Sequence, residues 1–163
     1  MSKALRSIFI FVRVGIAAAC AVAAIIMATS HYSTNFFGIT MEAKFQYTPS
    51  FKFFVITNAI ASAYNLVVVF VPTGSPLSGL VIMCDTIMAM LLTGAMAATG
   101  AISELGKHGN AHAGWLPICN QIQAYCDHVS GSLISAFVGL IVFVLFMLYN
   151  IFKIVSLDLH ACR

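Results

Sequence analysis

Four long apolar runs, residues 8–28, 53–71, 78–102 and 129–152, alternate with polar stretches and take up most of the chain. Each is long enough to cross a hydrocarbon core about 30 Å thick at about 1.5 Å per residue, and the two longest leave room for tilt. The pattern predicts an all-α membrane protein: one four-transmembrane-helix bundle over residues 1–163, with two extracellular loops at 29–52 and 103–128. Pro72, Thr73, Gly74, Ser75 and Pro76 form a tight turn that can only join neighbouring antiparallel helices. Lys3, Arg6 and Arg13 crowd the start of the first span. Basic residues there orient a first helix with its N-terminus inside, so the N and C termini are expected to be cytoplasmic and the protein multi-pass. The first run is interrupted by Arg13 and exceeds the apolar core of a leader peptide, so it is expected to be a retained helix.

Composition narrows the function classes. The 163 residues are 61% hydrophobic and 8% charged, against roughly 25% charged in soluble domains, and no segment is left over for a soluble catalytic domain. A net charge of +3, dispersed and without basic patches interleaved with aromatics, gives no reason to expect a nucleic acid partner. No Gly-rich phosphate loop, zinc box or hydrolase triad is present, so neither enzymatic activity nor a cofactor is expected.

Two full charges sit inside apolar runs, Arg13 in the first and Asp85 in the third. A carboxylate in hydrocarbon costs about 2.5–3.5 kcal/mol, so such a residue faces a protein interior or water and finds a partner. Counted from their span ends, the two residues differ in depth by only about 3 Å, on helices that run the same way. They are expected to form an intramembrane ion pair that fixes which helices adjoin. The alternatives are that Arg13 snorkels to the headgroups or that Asp85 belongs to a proton relay. Small residues accompany both charges. Ala17, Ala21 and Ala24 follow Arg13 at helical steps, and Ala89, Thr93 and Gly100 follow Asp85, giving two candidate helix-packing faces.

Asn58, Ser62 and Asn65 make a polar stripe along the second span, expected to bond a neighbouring helix, with a pore lining as the alternative. In the first loop, the alternation from Met41 to Tyr47 suits a short strand within a two-strand element. In the second, Cys119 and Cys126 stand seven apart and are expected to form a disulfide, with thiol–disulfide catalysis as the alternative. His108 and His112 have helical metal-ligand spacing, but the glycines around them argue against a helix and no metal site is assigned. Trp115 is placed to anchor at the interface, and the fourth span, with Phe143, Phe146 and Tyr149, is expected to turn its bulky side to lipid.

The residues that carry a resemblance are Arg13, the run from Phe45 to Val55 (FQYTPSFKFFV) leading into Asn58-Ala59-Ile60-Ala61, Asp85, and Trp115-Leu116-Pro117-Ile118-Cys119 with Cys126. Over nearly its whole length the chain resembles the plant Casparian strip membrane domain protein-like (CASP-like) family, related to MARVEL-type four-span proteins. The resemblance implies a basic residue in span one matched by an acidic one in span three, and a cysteine pair in the second outer loop. It also implies a plasma-membrane scaffold that associates with itself, with related CASP-like proteins and with membrane lipid, and that recruits extracellular wall-modifying proteins. The segment Gly38 to Lys44 lacks the phenylalanine-rich signature of the founding members, so a broader role than strip building is expected. A small channel or transporter and a membrane thiol oxidoreductase are the rival functions.

Overall fold

A computed structural model describes residues 3–36, 39–71 and 77–161. Its order is α1 (Lys3–Thr29), β1 (His31–Phe36), β2 (Ile39–Lys44), a 3-10 turn (Phe45–Tyr47), α2 (Pro49–Val68), α3 (Ser78–His108), a second 3-10 turn (Ala111–Ala113) and α4 (Gln123–Ala161). All four helices contain segments long and apolar enough to cross a membrane. The turn expected at residues 72–76 lies outside the described residues.

The helices outrun the apolar runs that predict them. α3 continues to His108 and α4 begins at Gln123, so the second loop shrinks to residues 109–122. At about 1.5 Å per residue the 31 residues of α3 reach about 46 Å and the 39 of α4 about 58 Å, both beyond the hydrocarbon thickness. α2 starts at Pro49 rather than residue 53, because proline's fixed φ suits the first helical position and its missing N–H is an orphan there anyway. That early start also explains the first loop. β1 and β2 pair antiparallel from His31 opposite Lys44 to Phe36 opposite Ile39, but residues 45–47 leave the extended conformation to turn into α2.

α1 packs along α2 and α4, and α3 packs along the same two helices. An up-down-up-down bundle with short links places consecutive helices side by side, so helices two apart face each other across the diagonal. Hence α1 and α3 are not adjoining rods, contrary to the expectation from their matched charges. Their buried faces follow a step near 3.5 residues: Arg13, Ile16, Ala17, Cys20, Ala23, Ala24 and Met27 on α1, and Asp85, Met88, Ala89, Leu92, Ala95 and Thr99 on α3. Such spacing keeps one seam facing a neighbour.

The same step corrects part of the expected packing face. Ala17, Ala24 and Ala89 are buried and Ala21 is half-buried, but Thr93 is exposed and space is open around Gly100. Two consecutive steps of four rotate about 80° past Asp85, whereas seven residues bring Leu92 back to within about 20°. A close helix approach lies elsewhere. Gly139 of α4 sits where an added Cβ would be 3.0 Å from the Ala19 side chain, and on this face Ser132 and Ser135 donate to the Ala23 and Ala19 carbonyls at 2.7 and 3.1 Å. Small residues and serines thereby join α1 to α4, as expected where lipid offers no hydrophobic drive for association.

Candidate functional site

A buried polar node lies inside the bundle, toward the end away from the two loops. Arg13 Nη1 donates to Asp85 Oδ1 at 2.8 Å and Nη2 to Asp85 Oδ2 at 2.5 Å, a bidentate pair in which each side chain is 1% exposed. Arginine's fork suits this geometry, and its long stem lets it reach across the diagonal. Arg13 therefore does not snorkel. From α2, Asn65 Oδ1 accepts from Arg13 Nη1 at 2.9 Å while its amide donates to the Ala61 carbonyl, and the Tyr64 hydroxyl donates to Asp85 Oδ1 at 2.7 Å. Three helices thus converge on one pair.

The fourth supplies an aromatic wall. The guanidinium carbon lies 5.8 Å from the Phe143 ring centre and 5.1 Å from that of Phe146, both on α4, and 5.4 Å from Phe9 of α1. Ring faces carry negative charge density, so a desolvated cation among three of them gains about 2 kcal/mol or more per well-placed ring. Phe143 is fully buried, contrary to the expectation that the bulky side of this span faces lipid; it turns inward because the cation is there. Phe146 is half-buried against the cation and the Phe9 ring, while Tyr149 is exposed, as a lipid-facing side requires.

The expected polar stripe divides. Asn65 joins the node, Asn58 is buried and donates to the Phe54 carbonyl of its own helix, and Ser62 is half-buried. Sequence reasoning missed Tyr64, Phe9, Phe143 and Phe146. The available signal for Tyr64 was its depth: a tyrosine within a span, away from the interface that tyrosines favour, needs a partner for its hydroxyl.

At the opposite end, the hairpin and the second loop form a separate layer. Cys119 and Cys126 are joined in a disulfide, while Cys20 and Cys84 are free thiols within the spans. α3 ends at Gly109, whose φ of +67° and tight surroundings, 2.6 Å from an added Cβ to the Trp115 carbonyl, admit only glycine. Beyond it Asn110 and Trp115 exchange backbone hydrogen bonds at 2.8 and 3.0 Å, and the Ile118 and Cys119 amides donate to the Gly106 carbonyl at the helix end. His108 is the last residue of α3, paired with Glu104 one turn back at 2.7 Å; His112 lies in the following 3-10 turn. On the hairpin, Lys44 donates to Glu42 at 2.7 Å. That hydrogen bond, and then the charge behind it, holds the Glu42 carboxyl below its usual range and Lys44 above its own.

The sequence matches a family model. Residues 2–142 match the Casparian strip membrane protein domain. The chain belongs to that family. Among its relatives, CASP-like protein 1C1 of Sorghum bicolor is 54% identical over 135 residues, 83% of either chain. CASP-like protein 1C3 of Populus trichocarpa is 40% identical over 165 residues, covering 100% of this chain and 96% of its own, and CASP-like protein 1C1 of Arabidopsis thaliana is 44% identical over 134 residues, 82% of either. No solved structure matches. Within this CASP-family chain the node and the disulfide-braced loop lie at opposite ends of the same four helices.

Proposed function

We propose that this CASP-family protein is a non-enzymatic plasma-membrane scaffold. It associates with itself and with relatives through the outer faces of its helices, and it presents the hairpin and the second loop to extracellular wall proteins. The observation that carries this reading is the pairing within the node: both terminal nitrogens of Arg13 and both oxygens of Asp85 are bonded to protein groups, with Asn65 and Tyr64 completing the set and Arg13 Nε left over, inside the bundle where a channel would need a wet path. What the helices turn outward is apolar and partly small, with Met90, Leu91 and Gly94 of α3 exposed side by side. In lipid such surfaces let helices approach closely. The basic residues at the start of α1 support cytoplasmic termini, which puts both loops outside.

Subunit counting by single-molecule photobleaching, in plasma membrane and at native expression, tests the reading. Co-purification of two differently tagged copies with multi-step bleaching is the expected result. Uniform one-step bleaching with no co-purification, or ion flux from liposomes holding the purified protein, would overturn it.

A further inference from the structure

Between the hairpin and the second loop lies a cavity of about 280 Å³. Its floor is apolar, formed by Phe51 of α2, Ile102 of α3, and Ile122 and Val129 around the start of α4; Glu42 and Lys44 border it. We propose that it binds a neutral, single-ring aromatic alcohol or phenol.

Size comes first. An engineered apolar cavity of about 150 Å³ holds benzene, so a space of 280 Å³ takes a molecule of about eleven heavy atoms. That is too little for a whole sterol. Shape comes from the walls. The rings of Phe51 and Tyr125 lie 6.5 Å apart at 42°, and Tyr47 adds a third aromatic, surfaces that favour a flat partner by edge and offset contacts.

Polarity comes from the border. Glu42 and Lys44 already neutralise each other, so an ionic ligand would have to separate them, whereas a hydroxyl can accept from the ammonium and donate to the carboxylate with the pair intact. The site is also held open by covalent structure, since Cys119 and Cys126, themselves in its wall, tie the loop to the start of α4.

The test uses the full chain in nanodiscs and three isosteric probes: 2-(4-hydroxyphenyl)ethanol, its amine analogue (cationic) and 4-hydroxyphenylacetate (anionic). Binding is read by saturation-transfer NMR and calorimetry. The neutral probe is expected to bind about fivefold more tightly than either ion, the factor corresponding to the upper range of an exposed charge pair. Lys44→Met frees the Glu42 carboxylate and should move the preference to the amine. Ser103→Phe, which places a ring in the cavity, should abolish binding while the melting temperature and the disulfide are retained. Equal binding of all three probes, a Lys44→Met variant with unchanged order of preference, or a cavity already filled by lipid acyl chain, seen as no transfer to any probe, would each overturn the assignment.

Discussion

Among the described residues, one arginine–aspartate pair and one lysine–glutamate pair of similar length sit in opposite surroundings. Arg13 and Asp85 meet at 2.5 Å with 1% of either exposed, whereas Lys44 and Glu42 meet at 2.7 Å with 38% and 43% exposed. The distances are nearly the same; the energetics are not. In the interior both ions have surrendered their water, so their attraction mainly offsets desolvation, and the large quantity is the cost of leaving one of them alone. On the hairpin each ion keeps much of its hydration, so the pair contributes little and its loss costs little. The inner pair therefore specifies the bundle, and the outer pair tunes a surface.

The sharpest way to break that contrast is to remove one inner partner. Asp85→Asn leaves the Arg13 cation buried among Phe9, Phe143 and Phe146 without a counter-charge, and is expected to cost about 3–5 kcal/mol. The measurement is thermal unfolding in nanodiscs together with delivery to the cell surface. The double variant Arg13→Met, Asp85→Leu removes both charges, and should recover most of the loss because nothing charged stays stranded. Tyr64 can then turn to the Val81 carbonyl, 3.1 Å away. A direct exchange, Arg13→Asp with Asp85→Arg, should recover only part, since it puts a carboxylate among three ring faces. If the apolar double is no better than Asp85→Asn, the pair is not the specifying element.

How much of this was legible in the chain follows from which signals are local. Two charges in apolar runs are conspicuous, and matched depth makes them partners whatever the packing; adjacency is a property of topology, which is why the diagonal crossing was not visible. Asn65 could be read from its spacing to Asn58, but not its selection over Asn58 as the ligand of Arg13, because that depends on which end of α2 lies level with Asp85. Phe143 was misplaced for a related reason: bulk in a span suggests lipid unless the position of the cation is known. Steps of four led to Thr93 and Gly100, where the bundle's 3.5-residue seam required Leu92 and Thr99. The disulfide was legible because its residues lie seven apart in the polar stretch between two apolar runs.

That disulfide is the next largest effect and lies at the far end from the node. Closing a loop this small contributes about 2.5 kcal/mol on the chain-entropy model. Cys119→Ser is expected to lower stability by that amount while leaving the node intact. Hydrogen exchange checks the split: amides of residues 109–126 should lose protection, and those around Arg13 and Asp85 should keep theirs. Equal loss at both ends would show one cooperative unit instead of two layers.

A smaller change probes the node without stranding a charge. Tyr64→Phe removes the hydroxyl that donates to Asp85, while the carboxylate keeps both bonds from Arg13. The expected cost is about 1.5 kcal/mol, the lower range for a hydrogen bond to a charged group. A cost comparable to that of Asp85→Asn would mean that Tyr64, and not Arg13, is the chief partner of the carboxylate.

The outer pair gives the smallest effect, with a pH signature of its own. Glu42 is held below its usual range by the hydrogen bond from Lys44, so its contribution is complete above the ordinary glutamate value, about 4.3, and is lost as pH falls through the depressed folded value. Lys44 is held above its own range by Glu42, so its contribution is complete below about 10.4 and is lost as pH rises through the raised folded value. Hairpin order, followed by NMR of the His31 to Lys44 backbone, should therefore be flat between these limits and decline outside them. Salt at about 1 M shortens the Debye length to about 3 Å and should abolish the dependence, whereas the node, shielded from solvent, should not respond. In Lys44→Met the Glu42 carboxyl should titrate at a higher pH than in the parent. An unchanged Glu42 titration would mean that the hairpin, and not the ammonium, sets its acidity, and the contrast between the two pairs would then rest on backbone geometry instead of hydration.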